Sequence, residues 1–383
     1  MVARGAGDVG CAHCTVIGAD RSCQVCTRLV CESCGADWTT CPEPSGREVR
    51  LGRTARLRDV DPSGRIGLVT RWVGSMRLFD VRRLRWVIAD LPRHHTIKDQ
   101  HILERLTPTG ELYWNLYLYG SDEAATFRQL QRQSLATGTV TSISGTEPDT
   151  HAGMTSDGHY YFVSSTQLVV VVAPDGTVRT FEPMPRRVVH SCFLDVEREV
   201  LVSATWGEIV VHRVLGDKLV PITRIGVDGN VSWVALEEPW LAACVGGIVR
   251  VWRVGTNYGK DALPGDIQFA LGRGVYQQIV GDPLRMASLS RDGRYLAMAV
   301  DRKIVLHDLD QGVTTELEGH TDDICLVRFA GIDQLLVTAD EDNRVILRPR
   351  TPTGYVRTLI EIDVPDEPIA LDLATDLTDL LGR

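Results

Sequence analysis

Long apolar runs are missing from this sequence of 383 residues. The longest strongly apolar stretch, Leu168–Ala173, is far shorter than the roughly 18 residues that a membrane-spanning helix needs. The first ten residues are polar and glycine-rich, without the apolar stretch of a secretory signal peptide. These absences argue against membrane insertion and secretion, so we expect a cytoplasmic location and no membrane partner.

Positive net charge is also missing. The formal net charge is -9, which disfavours general affinity for nucleic acid. The sequence has no Gly-x-Ser-x-Gly motif, which disfavours a serine hydrolase of the nucleophile-elbow type. It also has no phosphate-binding Gly-x4-Gly-Lys loop, and it shows no long amphipathic helical pattern. We therefore expect an all-β protein that is not an enzyme and does not bind nucleic acid.

Cysteine is distributed very unevenly along the chain. Seven of the ten cysteines occur within the first 41 residues and form three Cys-x2-Cys pairs plus one single residue. A Cys-x2-Cys turn presents two thiolates to one ion, and the reducing cytoplasm favours metal binding over disulfides. Residues 1–45 therefore predict a small zinc-binding domain whose folding depends on the metal. The seven predicted ligands are Cys11, Cys14, Cys23, Cys26, Cys31, Cys34 and Cys41.

The spacing of these cysteines resembles a B-box-type cross-brace finger, in which alternate pairs share an ion. The resemblance implies that one zinc is held by Cys11, Cys14, Cys31 and Cys34 and that the remaining three cysteines hold part of a second. Its usual final His-x-His is absent, so the eighth ligand is Asp37, Glu43, His13 or none. A treble clef or ribbon with a single zinc is the alternative, so one or two ions are expected. All-thiolate sites are structural rather than catalytic.

Beyond residue 50 the chain repeats a turn-and-strand unit. Four turns have the same form, a Thr, Ser or Asp followed three residues later by Gly, and they begin at Asp61, Thr107, Thr155 and Ser290. A second apolar strand follows most copies, and the copies recur with the period of a propeller blade, about 40 to 54 residues. A single unit of this size cannot bury both faces of its sheet, whereas stacked units can. The pattern predicts a seven-bladed β-propeller, possibly eight-bladed, over residues 46–383.

One copy resembles a WD-repeat blade. It contains Gly319-His320 and, further on, the segment Leu335–Arg348. The resemblance implies a buried hydrogen-bond relay of His320, Thr338 and Asp342, with Arg348 at the position of the usual tryptophan. These residues are structural in that family and are not candidates for a functional site.

The two ends of the predicted propeller carry opposite charge. Arginines are abundant between Arg47 and Arg85, whereas seven acids and one base occur between Glu361 and Arg383. We expect the C-terminal segment 363–383 to pack beside the arginine-rich first blade and close the ring. A partial eighth blade is the alternative.

Two tryptophans occupy corresponding turns of different blades. Trp72, with its neighbour Arg71, and Trp206 lie between the second and third predicted strands of blades one and four. Exposed tryptophan with arginine is the composition of an interaction hot spot, so these three residues predict a partner-binding surface. The alternative is that each tryptophan folds back over its own hairpin.

The leading functional hypothesis is a non-catalytic scaffold or adaptor whose zinc finger and propeller bind different protein partners. The arginine-rich, lysine-poor chain is similar to bacterial propeller subunits that accompany AAA-type ATPases and von Willebrand A-type proteins in multi-component systems. Two alternatives remain open: an adaptor for a ubiquitin-like ligase or peptide-modifying enzyme, and a propeller enzyme with an active site in its central funnel.

Overall fold

The structure, a computed structural model, describes residues 21–22, 29–30, 46–51, 55–71, 76–81, 84–91, 105–107, 110–119, 126–135, 137, 139–143, 148–164, 166–237, 239–253, 276–279, 287–331, 335–352, 354–357 and 359–363. Every regular element among these residues is a β-strand. Three short strands come first, and they are β1 (Arg21–Ser22), β2 (Leu29–Val30) and β3 (Gly46–Arg50). Strands β1 and β2 pair with each other as a small antiparallel hairpin.

The rest of the chain forms consecutive sheets, and each sheet is one blade. Blade 1 contains β4 (Ala55–Val60), β5 (Ile66–Arg71), β6 (Met76–Asp80) and β7 (Arg85–Leu91). Blade 2 contains β8 (Arg105–Leu106), β9 (Glu111–Tyr119), β10 (Thr126–Ser134) and β11 (Val140–Ile143). Blade 3 contains β12 (Pro148–Met154), β13 (Tyr160–Ser164), β14 (Val169–Val172) and β15 (Val178–Phe181).

The remaining blades continue in the same order. Blade 4 contains β16 (Val189–Asp195), β17 (Val200–Thr205), β18 (Glu208–Leu215) and β19 (Lys218–Gly226). Blade 5 contains β20 (Val231–Glu237), β21 (Trp240–Val245), β22 (Ile248–Arg253) and β23 (Tyr276–Ile279). Blade 6 contains β24 (Ala287–Leu289), β25 (Tyr295–Val300), β26 (Lys303–Asp308) and β27 (Val313–Leu317). Blade 7 is built on β28 (Ile324–Ala330), β29 (Leu335–Asp340), β30 (Arg344–Thr351), β31 (Gly354–Tyr355) and β32 (Leu359–Asp363).

The blades are arranged as a closed ring. Contacts link each blade to the next, and β28 of the last blade packs against β4 of the first. Most of these contacts are made by the first strand of each blade, so the first strands surround a central channel. The expected all-β, seven-bladed propeller is confirmed.

The hydrophobic cores lie between blades rather than within them. The second strands of blades 3, 4, 5 and 7 are buried along their whole length, whereas the described outer strands β15, β19 and β27 are largely exposed. One cluster joins Leu347 of blade 7 to Phe79 of blade 1, and another joins Val202 of blade 4 to Val234 of blade 5. Both sheet faces are thus covered by neighbours, as the repeat pattern requires.

The four repeated turns connect the first and second strands of their blades. The backbone amides of Asp61, Thr107, Thr155 and Ser290 each donate a hydrogen bond to a carbonyl four or five residues later. The glycine of each turn has a positive φ, which only glycine adopts without strain. The periodic Gly therefore marks the turn between the first and second strands of these four blades.

The ring is closed by an N-terminal strand. Strand β3 inserts between β30 and β32, antiparallel to the former and parallel to the latter. It thereby becomes the fourth strand of blade 7, so residues from both ends of the propeller complete one sheet. Residues 364–383, which carry most of the expected C-terminal latch, lie outside the described residues, and that expectation stays a prediction.

The relay in blade 7 differs from the expected one in its acid. His320 Nδ1 lies 2.9 Å from Asp340 Oδ2, and its Nε2 lies 2.7 Å from Thr338 Oγ1. The expected partner, Asp342, is exposed in the following turn, so that assignment was wrong. The reason is strand geometry: residues 338 and 340 share one face of β29, and both therefore point at the histidine. Arg348 does occupy the tryptophan position, opposite Leu336.

Candidate functional site

The seven predicted zinc ligands all lie outside the described residues, as do the proposed eighth ligands His13, Asp37 and Glu43. The zinc site therefore stays a prediction. In the described part of the chain, no group of three or more His, Cys, Asp or Glu side chains is placed to hold a metal. Nor do the described residues contain a helix with the length and apolar character needed to span a bilayer.

The structure describes the three predicted partner-binding residues to different extents. Trp72 lies outside the described residues, and Arg71 is the last residue of β5 with only its backbone described. Trp206 is described and lies between β17 and β18, as expected. Its side chain is 70% exposed. The alternative that Trp206 folds back over its hairpin is therefore wrong.

The turn that carries Trp206 is held rigidly. Gly207 has a φ of 83°, a left-handed conformation that favours glycine. Its amide donates to the carbonyl of Gly229, and its carbonyl accepts from the amide of Val227, both at 3.0 Å. The connection to blade 5 thus holds the turn through two hydrogen bonds, and the indole is exposed to solvent from a backbone that these bonds fix.

An apolar neighbour and an ion cluster flank this tryptophan. Val188 is 55% exposed and directly precedes Val189, whose partner in β17 is Thr205, the residue before Trp206. Glu208 lies 2.7 Å from Arg187 and 3.1 Å from Arg224, which leaves the cluster with one excess positive charge. We call Val188, Trp206, Arg187, Arg224 and Glu208 the blade 4 patch.

The other exposed large apolar side chains described lie elsewhere. Val178, Leu215 and Val313 are at or beside the turns between third and fourth strands, which is the opposite end of the blades from Trp206. Among the described residues, the blade 4 patch therefore has two exposed large apolar residues, Val188 and Trp206, next to the paired residues Val189 and Thr205. Tryptophan and arginine on a preformed surface are typical of protein-binding hot spots.

A second polar constellation, missed by the sequence reasoning, lies in the central channel. In six of the seven blades, one residue of the first strand pairs with the third residue of the second strand, and in blade 3 Gly153 pairs with the second residue, Tyr161. We call this ring the channel layer. Its members are Asp59, Arg105, Gly153, Phe193, Ala235, Ser288 and Arg328.

The charged members of the channel layer come from adjacent blades. Asp59 of blade 1 is buried between Arg328 of blade 7 and Arg105 of blade 2. Its Oδ1 is 3.5 Å from Arg328 Nε, and its Oδ2 is 4.0 Å from Arg105 Nε. One carboxylate thus faces two guanidiniums. Only the packing of blades 7, 1 and 2 around the ring brings these three side chains together.

Tyr161 adjoins this charged arc from blade 3. A Cβ on Gly153 would lie 2.2 Å from the Tyr161 ring, so only glycine at 153 leaves room for the phenol. Burial raises the pKa of Tyr161, and Cys192 adds to this, whereas the charges of Arg328 and Arg105 act in the opposite direction. The hydroxyl therefore stays protonated and within electrostatic range of both guanidiniums.

Comparisons with known proteins support the fold. No model of a protein family matches the sequence, and no curated protein matches it either. Among solved structures, the chain is similar to the β-propeller domain of Myceliophteria thermophila Cps50 (Swd1), with a TM-score of 0.59 and 14% sequence identity. The match covers 80% of this chain and 99% of that one. This similarity supports the WD-repeat-like, seven-bladed β-propeller fold.

Proposed function

We propose that this protein is a non-catalytic interaction scaffold and that its propeller binds a protein partner through the blade 4 patch. The observation that carries the proposal is Trp206, which is 70% exposed on a turn whose backbone is fixed by hydrogen bonds from both sides. An indole left in water on a rigid turn loses little conformational entropy on binding and buries a large apolar area.

The surroundings of Trp206 indicate the chemistry of the partner. Val188 extends the apolar area, while Arg187 and Arg224 contribute one positive charge beyond the single Glu208. A segment with an apolar or aromatic side chain flanked by acidic residues would complement both features. The finer identification of the partner as an AAA-type ATPase or a von Willebrand A-type protein rests on the resemblance to bacterial propeller subunits alone.

Photo-crosslinking in the native host tests this proposal. A benzophenone amino acid is placed at position 188, beside Trp206, and in a control protein at position 215, an exposed leucine at the other end of blade 4. We expect position 188 to give a discrete protein adduct that position 215 does not give. Adding Trp206→Ala should remove the adduct, since a hot-spot tryptophan contributes about 2 kcal/mol or more. Identical adducts at both positions, or an adduct unaffected by Trp206→Ala, would overturn the assignment.

The cysteine-rich segment is proposed as the second docking module, held by one or two structural zinc ions. Elemental analysis of the purified protein gives the stoichiometry. Two ions per chain support the cross-brace finger, and one ion supports the treble clef or ribbon. A protein without zinc would contradict both. Because closed thiolate sites are structural, chelation should disrupt partner binding by this segment rather than a catalytic step.

A further inference from the structure

Blade 6 ends in an outer strand whose edge is exposed. Strand β27 pairs with β26, and no other strand among the described residues covers its outer edge. A strand at the edge of a sheet can pair with another chain. Proteins normally prevent this with short edge strands, with bulges, or with charged and proline residues on the edge.

The other four-stranded blades have such protection. Strands β11, β15 and β23 have only four residues each, and the pairings of β7 and β19 contain register shifts. In contrast, β27 has five residues in unbroken register with β26, and it contains neither proline nor a basic residue. Its Val-Thr-Thr sequence favours a strand conformation. The edge of β27 is therefore the one best suited to pairing with a further strand.

The backbone of β27 directs hydrogen-bonding groups outward. A two-residue turn joins β25 to β26, and Lys303 is the first residue after it. The closing pair of such a turn is hydrogen-bonded, so Lys303 faces β25 and alternate residues of β26, including Leu306, face β27. Leu306 stands opposite Thr315. The backbone amides and carbonyls of Thr314 and Glu316 therefore point away from β26.

The two faces of β27 differ in charge. On one face, carboxylate oxygens of Glu316 and Glu318 lie 2.8 and 3.5 Å from Lys303 Nζ, which leaves one excess negative charge. On the other face, Val313 is 52% exposed, and Arg357 donates a hydrogen bond to a threonine of β27 at 3.5 Å. A strand added at this edge would meet carboxylates on one face and apolar surface on the other.

Blade 7 shows that a blade of this molecule accommodates a fifth strand. Its main sheet has the order β28, β29, β30, β3 and β32. Strand β32 lies outside the fourth strand and pairs with it over five residues. The same position in blade 6, beyond β27, is occupied by no strand of the described chain.

We propose that the outer edge of β27 binds an extended segment of a partner protein as a fifth strand of blade 6, with basic residues of that segment facing Glu316 and Glu318. In this mode of recognition, main-chain hydrogen bonds supply affinity and side chains at alternate positions supply specificity. Lysine or arginine opposite the glutamates balances their excess charge, and apolar residues at the alternate positions contact Val313. The site lies two blades away from the blade 4 patch and does not depend on it.

Peptide binding to the full-length protein tests this site. The probe is a short, end-capped peptide in which lysine alternates with valine. One matched control replaces its lysines with glutamate, and another methylates its backbone amides. We expect saturable binding of the lysine peptide by calorimetry, binding weaker by about tenfold or more for the glutamate peptide, and none for the methylated peptide. Amide hydrogen exchange should slow in segment 312–318 when the lysine peptide is added, and it should not slow in segment 200–214.

A charge reversal locates the binding to β27. Glu316→Lys keeps the main-chain groups, and the fold should tolerate it because this side chain is 59% exposed. The variant should bind the glutamate peptide more tightly than the lysine peptide. The control Glu197→Lys, at an exposed turn position of blade 4, should keep the parent's preference.

Three results would overturn the proposal: no binding of the lysine peptide, slower exchange in a segment other than 312–318, or an unchanged preference in Glu316→Lys. Protection of segment 312–318 that rises with protein concentration, without peptide, would also overturn it, because the occupant would then be a second copy of the chain. None of these results affects the blade 4 patch.

Discussion

Arg348 of blade 7 is a buried residue that joins neighbouring segments by hydrogen bonds. It stands where WD-repeat blades have tryptophan, and it is only 1% exposed. Its terminal nitrogens donate to the carbonyls of Val356 and Arg357 at 2.9 and 3.0 Å, and also to the carbonyl of Glu318. Burial lowers its pKa to about 10, so it remains charged at neutral pH. Three backbone carbonyls thus solvate the cation and tie β30 to the segments on both sides of it.

The relay of blade 7 makes a prediction about two aspartates that are two residues apart. Burial raises the pKa of Asp340, but its hydrogen bonds with His320 and with the amide of Arg344 lower it by a larger amount. The pKa of Asp340 therefore lies below its ordinary value. Asp340→Ala would leave the buried His320 without its acceptor and should cost about 2 kcal/mol or more. Asp342→Ala, at an exposed turn position, should change the free energy of unfolding by less than about 0.5 kcal/mol.

Urea unfolding of both variants measures these differences directly. A larger loss for Asp342→Ala than for Asp340→Ala would restore the relay expected from the WD-repeat resemblance.

His212 occupies in blade 4 the position that Arg348 occupies in blade 7, and it predicts a dependence of stability on pH. It is buried and lies 2.9 Å from Ser203 Oγ through its Nε2. Burial, with a smaller contribution from Arg224, lowers its pKa to about 4, from 6.5 in the unfolded chain. Between these values the unfolded state binds a proton that the folded state does not, so stability falls as the pH drops. The expected loss between pH 7 and about pH 5 is about 2 kcal/mol.

Chemical unfolding at the two pH values checks this effect. His212→Gln should be less stable than the parent at pH 7 but should lose less stability on acidification. The control His190→Gln, at a half-exposed histidine of the same blade, should keep the parent's dependence. An unchanged dependence in His212→Gln would show that other groups cause it.

At the scale of strands and turns, the sequence specified what is local. The turns at Asp61 and Ser290 could be predicted because Gly three residues later fixes a backbone conformation, whatever the rest of the chain does. The apolar second strands could be predicted because both faces of a blade are buried. The exposure of Trp206 could not, since its turn is held by hydrogen bonds of Gly207, which donates to residue 229 and accepts from residue 227, both in the next connection.

The channel layer could not be predicted from any local sequence pattern. Asp59 and Arg328 are 269 positions apart in the sequence and meet only because blade 1 follows blade 7 around the ring. The relay error has a related origin. Asp340 and Asp342 both fit the motif, and only the alternation of side chains on β29, together with the placement of His320, distinguishes them.

At the scale of the whole molecule, the position of strand β3 decides how the ring is held closed. Its pairing with β30 places Val49 opposite Val345, with Glu48 and Arg344 in an ion pair at 3.1 Å. Val49 is fully buried in the cluster that spans blades 7 and 1. Nothing near residue 49 in the sequence indicates this pairing, because its partners are almost 300 residues away.

If the pairing of β3 holds the ring closed, a charged residue substituted into β3 should unfold blade 7 before the other blades. Val49→Asp places an unpaired carboxylate in an apolar core and should cost about 3 kcal/mol or more. Because blades open as cooperative units, amide hydrogen exchange should accelerate in segments 344–350 and 359–363 before it does so in segment 200–214 of blade 4. Arg50→Ala, at the exposed neighbouring position, should leave the exchange of all three segments near that of the parent. Uniform acceleration in every blade would instead indicate that Val49 contributes only its buried area and that the ring is held closed elsewhere.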